Sequence, residues 1–382
     1  MIFWLLLACA VATGGYHLVA LFAALRQFGR RPAVATFPGP VSILKPVRGL
    51  DPGFYEAIRS HALQHYAPGF EILFGFTDPA DPSLPVIERL KAEFPQLRIE
   101  MFRVERLAPN GKVAALVEIA KHARYPLWLV NDSDIAVSPG YLQQVTAPLA
   151  VPEIGVVTCL YRAQAGTWAG RWEALGISVD FAAGVMVAPL VGVKEFGLGA
   201  TLVFRAQDLR AIGGFEKLEN YLADDYQLAR HITQLGKRVE LSRTVVETTL
   251  GEDTWRGVWK HQLRWARTIR VSRGDGYWGL PVTHAGLWVL LCLAAGFPWM
   301  ALGVAAIRWA SAYATGVMVL ESRVARRGWV LAPLWDCFAF AVWVAGAIFN
   351  TMFNKAFNPA FNTVEWRGQR FELKPDGTMK AK

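Results

Sequence analysis

The sequence is short of charged residues for its length. They make up 19% of the 382 residues, below the roughly 25% usual for soluble domains. Hydrophobic residues reach 53%, including 15 Trp and 22 Phe, so a large apolar surface must face something other than water. This composition excludes a disordered chain and points to a membrane protein. The length exceeds the roughly 250–300 residues at which single cores stop growing, which predicts at least two parts.

Cysteine and clustered basic residues are scarce as well. The four cysteines lie far apart and form no Cys-x-x-Cys pair, so neither a disulfide framework nor a zinc site is expected. Free thiols mildly favour a reducing compartment. The net charge is +9, but the sequence has no basic tract with interleaved aromatic residues, and we expect no nucleic-acid partner. On a membrane protein such an excess is typical of cytoplasmic loops that contact anionic headgroups.

Apolar runs occupy both ends of the chain. Residues 1–25 carry no charged side chain and predict a spanning helix. Arg26, Arg30 and Arg31 follow at once, which predicts an N-terminus outside and a next domain in the cytoplasm. A cleaved signal peptide is the alternative, although the run exceeds the roughly 7–15-residue apolar core of such signals.

The C-terminal part holds further apolar segments. Residues 276–307 contain no Asp, Glu, Lys or Arg and predict a second spanning helix. Residues 309–320 are too short to cross upright, and residues 328–354 are long enough but interrupted by Pro333 and Asp336. We expect two to three transmembrane or interfacial helices in this part, with Asp336 near the headgroups.

Residues 38–275 have the pattern of an α/β domain. Short apolar runs alternate with segments of helical spacing, which predicts a mostly parallel sheet. Ligands of such sheets bind at the carboxyl ends of the strands. The predicted strands are 41–47, 70–76, 97–104 and 126–130, and the predicted helices are 53–65, 85–94, 112–121 and 226–235.

Carboxylates follow two of these strands. Asp132 and Asp134 come directly after the strand 126–130, and oxygen ligands at this spacing suit Mg²⁺ or Mn²⁺ bridging a diphosphate. Asp78 ends an earlier strand in the same way, where its carboxylate can hold a nucleobase or ribose, and Asp81 lies close by. Turn formation is the alternative for these side chains.

Two further motifs lie later in the chain. Asp224-Asp225 opens the helical stretch 226–235, where a carboxylate is either an N-cap or a general base, and the two roles can be divided between them. Arg264 beside Trp265 offers a guanidinium and an indole to neutralise and cover a leaving diphosphate. The arginines that follow at spacing three predict an interfacial helix on anionic headgroups.

These motifs resemble, in this order, the D, D, D, (Q/R)xxRW signature of membrane-bound family 2-like glycosyltransferases of GT-A fold. Six segments also resemble ceramide glucosyltransferases, of which the bacterial hopanoid-associated glycosyltransferases are close relatives. The six segments are SILKPVRGLDP (42–52), FGFTDPADP (74–82), Asn110-Gly111-Lys112, GLGATLVFRAQDL (197–209), LADDYQLA (222–229) and VEWRGQRFEL (364–373).

The resemblance implies an α/β GT-A fold with a mostly parallel sheet that binds a nucleotide sugar. One N-terminal helix and two to three C-terminal transmembrane or interfacial helices would accompany it. The implied parts are an N-terminal transmembrane helix (1–25), a cytoplasmic catalytic domain (38–275) with the interfacial segment His261–Arg273, C-terminal membrane segments (276–354) and a basic cytoplasmic tail (355–382).

The resemblance also implies roles for the matching acidic residues. Asp78 would bind the uridine or ribose. Asp132 and Asp134 would hold a divalent metal, Mg²⁺ or Mn²⁺, and Asp132 would bind the diphosphate with it. Asp225 would be the base that deprotonates the acceptor hydroxyl.

The remaining matches would bind the nucleotide sugar. Lys112 belongs to this group, and Arg264 and Trp265 would hold the pyrophosphate. His261 stands where the signature has Gln or Arg. A neutral His can donate a hydrogen bond to phosphate but lacks the fixed charge of Arg, and a structural His packed at the membrane surface is the alternative.

The activity that the resemblance implies is inverting transfer of glucose or N-acetylglucosamine from a UDP-sugar to a hydroxyl of a membrane lipid. The acceptor would be a ceramide-like sphingolipid or a hopanoid. The protein would lie in the lipid bilayer with its catalytic domain on the cytoplasmic face, in a bacterial inner membrane rather than a Golgi membrane. The alternatives are a processive polysaccharide synthase of the same superfamily and a non-catalytic lipid-binding membrane protein.

Overall fold

The chain folds into two compact units. The computed structural model describes residues 2–31, 38–106, 108–251, 254–272, 274–351, 363–366, 369–374 and 377–381. The sheet unit comprises Arg31–Tyr161 and Val193–Thr249, and the helical unit comprises Met1–Arg30, Arg162–Gly192 and Leu250–Lys382. The sequence analysis predicts one domain over residues 38–275. In the structure, residues 162–192 and 250–275 of that range cluster with the apolar helices.

The strands and helices follow each other in the order that the sequence predicts for the first half. The strands are β1 (Val41–Pro46), β2 (Phe70–Phe76), β3 (Ile99–Arg103), β4 (Leu127–Val130), β5 (Ile154–Gln164), β6 (Leu202–Arg205), β7 (Arg238–Thr249), β8 (Thr363–Trp366), β9 (Gln369–Leu373) and β10 (Met379–Ala381). The helices are α1 (Ile2–Phe28), α2 (Phe54–Ala62), α3 (Leu84–Glu93), α4 (Gly111–Ala120), α5 (Tyr141–Thr146), α6 (Trp168–Gly176), α7 (Ala182–Val187), α8 (Ala206–Ala211), α9 (Asp224–Thr233), α10 (Trp255–Ser272), α11 (Gly274–Gly279), α12 (Ala285–Ala294), α13 (Pro298–Tyr313), α14 (Arg323–Gly328) and α15 (Ala332–Thr351).

The sheet unit is built on a seven-stranded sheet of order β3-β2-β1-β4-β6-β5-β7. Strands β3, β2, β1 and β4 are parallel, and β6 runs antiparallel to both β4 and β5. The four strands predicted from the sequence are therefore confirmed, as is their mostly parallel pairing. Parallel pairing brings the carboxyl ends of β1, β2 and β4 to one edge of the sheet, where the predicted acidic residues follow.

Both faces of this sheet are buried. Successive residues of a strand point to opposite faces, so Ile43 and Leu44 of β1 enter two different hydrophobic clusters. This double burial explains why the strands are nearly continuous apolar runs. The first cluster is completed by α2 and α3 through Phe54, Ile58, Ile87 and Leu90, and the second by α4 and α9 through Val113, Leu116, Leu228 and Ile232.

The helical unit holds helices long and apolar enough to cross a membrane. Four segments meet that criterion by length and composition among the described residues, and a bent pair makes a fifth if it is one span. The four are Phe3–Phe28, Trp168–Val191, Pro298–Val319 and Arg323–Ala347, and the pair is Gly276–Thr283 with Ala285–Ala294. The sequence reasoning missed Trp168–Val191, although residues 174–191 carry only one charged side chain, Asp180.

The apolar run 276–307 is not one helix, contrary to expectation. It bends by 53° at His284, between the two halves of the bent pair. It breaks again before α13, where Gly296 has a φ of 82° and Pro298 starts the next helix. Glycine allows the left-handed turn, and proline is favoured in a first helical turn. Residues 309–320 belong largely to the span that begins at Pro298, so this stretch does not stand alone.

A buried ion pair joins two of these helices. Arg308 of α13 and Asp336 of α15 each have 0% of their side chain exposed. The guanidinium binds the carboxylate through two nitrogens, at 2.9 and 2.8 Å, and donates a third bond to the carbonyl of Val179 at 3.0 Å. Asp336 also accepts from the backbone N–H of Gly286 at 3.1 Å. The Arg308 guanidinium therefore compensates the burial of the Asp336 carboxylate. The expectation that Asp336 lies near the headgroups stays a prediction.

The C-terminal segment forms a small antiparallel sheet of order β10-β9-β8. Several residues of the predicted basic tail lie outside the described residues, among them Lys355, Arg367 and Lys382, as does Arg273 of the predicted interfacial segment. Arg270 of that segment donates to the carbonyl of Gly346 in α15 at 3.0 Å. The side of the membrane on which residues 355–382 lie stays a prediction.

We predict that Arg308→Met destabilises the protein by about 3–5 kcal/mol, because Asp336 would remain buried without its countercharge. Replacing both partners, Arg308→Met with Asp336→Leu, should recover most of this loss. Arg326→Met, on an exposed arginine of α14, is the matched control. Unfolding in detergent micelles measures all four proteins, and equal midpoints for Arg308→Met and the wild type would refute a stabilising pair.

Candidate active site

The loops after β1, β2 and β4 meet at the carboxyl edge of the sheet. Asp81, buried in the loop after β2, accepts from the N–H of Gly49 after β1 at 2.8 Å and from the Ser83 hydroxyl at 2.7 Å. Asp78 lies exposed in the same loop and accepts from the N–H of Ala80 at 2.9 Å. Asp81 therefore holds the loops together, while the carboxylate of Asp78 faces solvent.

Lys112 and Asp132 form the centre of the site. Lys112 Nζ lies 2.8 Å from Asp132 Oδ1 and 3.5 Å from Asp224 Oδ2. Burial alone would lower the pKa of Lys112, but the carboxylates of Asp132, Asp224 and Asp225 outweigh it and raise the pKa above its ordinary value. The side chain of Asp132 is 46% exposed, so its carboxylate can bind Lys112 and still meet a ligand.

Asn110 fixes the position of Lys112. It is the N-cap of α4, and its Oδ1 accepts from the backbone N–H groups of Lys112 and Val113 at 3.1 and 3.2 Å. Its Nδ2 donates to Asp224 Oδ1 at 3.2 Å and to the carbonyl of Tyr221 at 2.9 Å. One buried amide thus orients both the start of α4 and the acidic start of α9.

Asp224 and Asp225 have different hydrogen-bond partners. Asp224 binds Lys112 and Asn110, whereas Asp225 Oδ2 accepts from the N–H of Gly199 at 2.9 Å. Burial and the neighbouring charge of Asp224 raise the pKa of Asp225 to about 6. Asp225 thus has the ordinary requirement of a general base, a pKa close to neutrality.

Gly199 lies between the acidic groups, just before β6, and the sequence analysis did not single it out. Its carbonyl accepts from the N–H of Asp132 at 3.2 Å. A Cβ at this position would lie 3.1 Å from Asp132 Oδ2, 3.4 Å from Lys112 Nζ and 3.6 Å from Asp225 Oδ2. The absent side chain therefore lets these three groups surround one piece of backbone. Gly199 belongs to the segment 197–209 that the sequence analysis quotes. Only the pairing of β6 with β4 brings this glycine close to Asp132.

The Asp132–Asp134 pair offers the oxygen donors that a hard divalent cation prefers. Asp134 Oδ2 accepts from the hydroxyl of Thr248, and burial and the charge of Asp132 raise the pKa of Asp134. Among the described residues, no group of three or more His, Cys, Asp or Glu side chains is arranged to hold a metal. The two carboxylates therefore fit a cation that takes its other ligands from a diphosphate and water, as Mg²⁺ commonly does.

The last part of the predicted signature lies on α10, in the helical unit. His261 Nδ1 and Gln262 Nε2 both bind Glu173 Oε1, at 2.5 and 2.7 Å. The ring of Trp265 packs against that of His261, with centroids 4.9 Å apart, and against that of Phe181 at 5.3 Å. Arg264 lies in the same helix. The sequence analysis did not identify Glu173. The feature that pointed to it was a single acidic residue in the mostly apolar helix α6.

Comparison with solved structures identifies the fold class. The chain is similar to the solved structure of the mannosyltransferase PcManGT from Pyrobaculum calidifontis in complex with GDP-Man and Mn²⁺. The TM-score is 0.55 at 18% identity, over 93% of this chain and 100% of that one. The mostly parallel seven-stranded sheet is thus that of GT-A glycosyltransferases, which confirms the predicted fold class.

The chain belongs to glycosyl transferase family 21, whose model matches residues 2–379. Ceramide glucosyltransferase 1 of Caenorhabditis elegans is 28% identical over 230 residues, which cover 59% of this chain and 49% of that protein. Ceramide glucosyltransferase of Candida albicans is 31% identical over 115 residues, 27% of this chain and 21% of that protein. The chain spans about half the length of the nematode relative. The resemblance to ceramide glucosyltransferases is confirmed.

We predict that Gly199→Ala weakens nucleoside diphosphate binding about tenfold, because the added methyl group displaces the Asp132 carboxylate by a few tenths of an ångström. Gly111→Ala is the matched control, since a Cβ there meets nothing within 4 Å. Calorimetry with UDP, and with GDP in parallel, measures the effect. Unchanged affinity in a folded Gly199→Ala protein would contradict the prediction.

Proposed function

We propose that the protein transfers a single glucose or N-acetylglucosamine from a UDP-sugar to a hydroxyl of a membrane lipid, either a ceramide-like sphingolipid or a hopanoid. The observation that carries this proposal is the cluster of Lys112, Asp132 and Asp225 around Gly199. It combines a base near neutrality with a carboxylate open to a diphosphate-bound cation. Family membership and the similarity to ceramide glucosyltransferases support the lipid acceptor.

Asp225 is the proposed general base. With a pKa of about 6 it is mostly ionised at neutral pH and still basic enough to take a proton from a hydroxyl in the transition state. The acceptor oxygen then forms a bond to the anomeric carbon, the bond from that carbon to the diphosphate oxygen breaks, and UDP leaves. One base and one displacement give inversion of the anomeric configuration.

The other predicted residues bind the donor in this proposal. Asp132 and Asp134 would hold Mg²⁺ or Mn²⁺, which supplies positive charge to the diphosphate when bound. The positive charge of Lys112 reduces the repulsion between the carboxylates of Asp132 and Asp224. Asp78 would accept hydrogen bonds from the uridine or ribose.

The resemblance also assigns donor-binding roles to the signature residues on α10. Arg264 would pair with pyrophosphate oxygens as a fixed cation, and Trp265 would cover them from water. His261 would donate a hydrogen bond to the same group. These three roles rest on the resemblance of the motif to the (Q/R)xxRW signature.

The proposed location is the cytoplasmic face of a membrane, in a bacterial inner membrane rather than a Golgi membrane. Arg26 and Arg30 directly after the hydrophobic part of α1 support this orientation through the positive-inside bias. The four candidate spans of the helical unit support integral membrane association.

We predict that Asp225→Asn lowers the transfer rate by about 10²–10⁴-fold, because the amide cannot accept the acceptor proton. UDP binding should stay within about twofold, since Asn retains the size of Asp. The assay uses detergent-purified protein with UDP-glucose or UDP-N-acetylglucosamine and either Mg²⁺ or Mn²⁺. Ceramide, bacteriohopanetetrol and diacylglycerol serve as acceptors, and lipid mass spectrometry reads the products.

Glu93→Gln, on a surface carboxylate of α3 that pairs with Arg59, is the matched control and should keep full activity. Full activity of folded Asp225→Asn on every modified lipid would exclude Asp225 as the base. A polymeric product would favour the polysaccharide synthase alternative over single transfer, and absence of UDP-sugar binding by the wild type would favour the non-catalytic one.

We predict that kcat/KM falls as pH decreases through about 6, tenfold per pH unit below it, because Asp225 must be ionised to act. The raised pKa owes part of its shift to the charge of Asp224. Asp224→Asn should therefore move the acidic limb of the profile to lower pH. Rate profiles of both proteins measure this shift, and an acidic limb that stays in place would contradict the assignment of that limb to Asp225.

A further inference from the structure

A buried carboxylate in the helical unit contacts the start of the signature motif. Glu173 of α6 has only 1% of its side chain exposed, and it lies in the apolar segment Trp168–Val191. Its Oε1 accepts from both His261 Nδ1 and Gln262 Nε2, two consecutive residues of α10. Neither the family signature nor the sequence analysis gives Glu173 a role.

Burial of the Glu173 carboxylate between two helices carries a desolvation cost. Removing a carboxylate from water is unfavourable, and apolar residues of similar volume could join two helices without that cost. Both donors to the Glu173 oxygen come from the motif helix, and the rings of Trp265 and Phe181 continue the packing around His261. The carboxylate therefore specifies the orientation of the His261 ring.

The orientation determines which ring atom can meet a ligand. An ionised carboxylate only accepts hydrogen bonds, so His261 Nδ1 carries a proton and Nε2 is the remaining ring nitrogen. The His261 side chain is 29% exposed while Glu173 is enclosed. A ring with both nitrogens protonated donates from Nε2 to an anionic oxygen, and Glu173 then carries the balancing negative charge.

We propose that Glu173 is the positioning residue for His261, holding the ring by Nδ1 so that Nε2 binds the diphosphate of the sugar donor. This inference rests on the proposed function, because it takes the donor to be a nucleoside diphosphate sugar. It also accounts for His at a position where the signature has Gln or Arg. A Gln amide donates to phosphate without a carboxylate behind it, whereas a His ring needs one to fix its orientation and charge.

The test compares Glu173→Gln, Glu173→Asp, His261→Gln and the double variant Glu173→Gln/His261→Gln with the wild type. We expect Glu173→Gln to raise KM for the UDP-sugar about tenfold and to leave KM for the lipid within about twofold. Glu173→Asp should restore part of the loss. In the His261→Gln background, Glu173→Gln should change KM by less than about twofold, because the ring that it positions is gone. Glu93→Gln controls for removal of a carboxylate elsewhere and should have no effect.

Calorimetry with UDP and unfolding midpoints in detergent accompany the kinetics. Equal effects of Glu173→Gln in the two backgrounds, an equal rise of both KM values, or no rise at all would overturn the positioning role. If the wild type transfers sugar to none of the lipids, the proposed acceptor fails, and the UDP affinities of the same variants decide the role of Glu173. If the wild type binds no UDP, both proposals are refuted.

Discussion

The ammonium group of Lys112 is the charge on which the acidic end of the sheet depends. It lies 2.8 Å from Asp132 and 3.5 Å from Asp224. Without a cation among them, carboxylates this close would repel one another. Burial, and after it the neighbouring charge of Asp224, raise the pKa of Asp225 to about 6 even with Lys112 present. Lys112 thus allows a binding carboxylate and a candidate base to coexist in one small region.

In the apolar helical unit, too, buried charged groups lie beside partners that stabilise them. Arg308 and Asp336 are fully buried, and two guanidinium nitrogens of Arg308 donate to the Asp336 carboxylate. Glu173 is buried against two hydrogen-bond donors of α10. In each case the buried charge is kept where its hydrogen-bond partners are present. Because such partners have a required direction, they fix helix orientation in a way that apolar contacts do not. In the helical unit, precise side-chain placement therefore comes from a few polar contacts within an otherwise apolar packing.

Much of the sheet unit could be predicted from the sequence, because its signals are local. The run Phe70–Phe76 ends at turn residues and forms β2 with the predicted bounds, and the strand before Asp132 ends where the apolar run ends. The helical unit was less predictable. Hydrophobicity alone does not indicate where a helix bends within an apolar run. The sequence analysis therefore did not predict the bend at His284 in residues 276–307. The apolar segment Trp168–Val191 was hidden inside a stretch that otherwise read as α/β.

The sequence by itself determined the mostly parallel α/β class, the order of the first strands along the chain, and the acidic residues at strand and helix ends, whereas the GT-A fold was implied by the family resemblance. These follow from periodicity and from the chemistry of neighbouring residues, which act over a few positions. Only the tertiary structure decided the partners of those residues. Gly199 binds Asp225 across 26 positions, Arg308 binds Asp336 across 28, and His261 binds Glu173 across 88. Such pairs depend on which segments pack together, and packing is set by the summed burial of whole elements rather than by any local pattern.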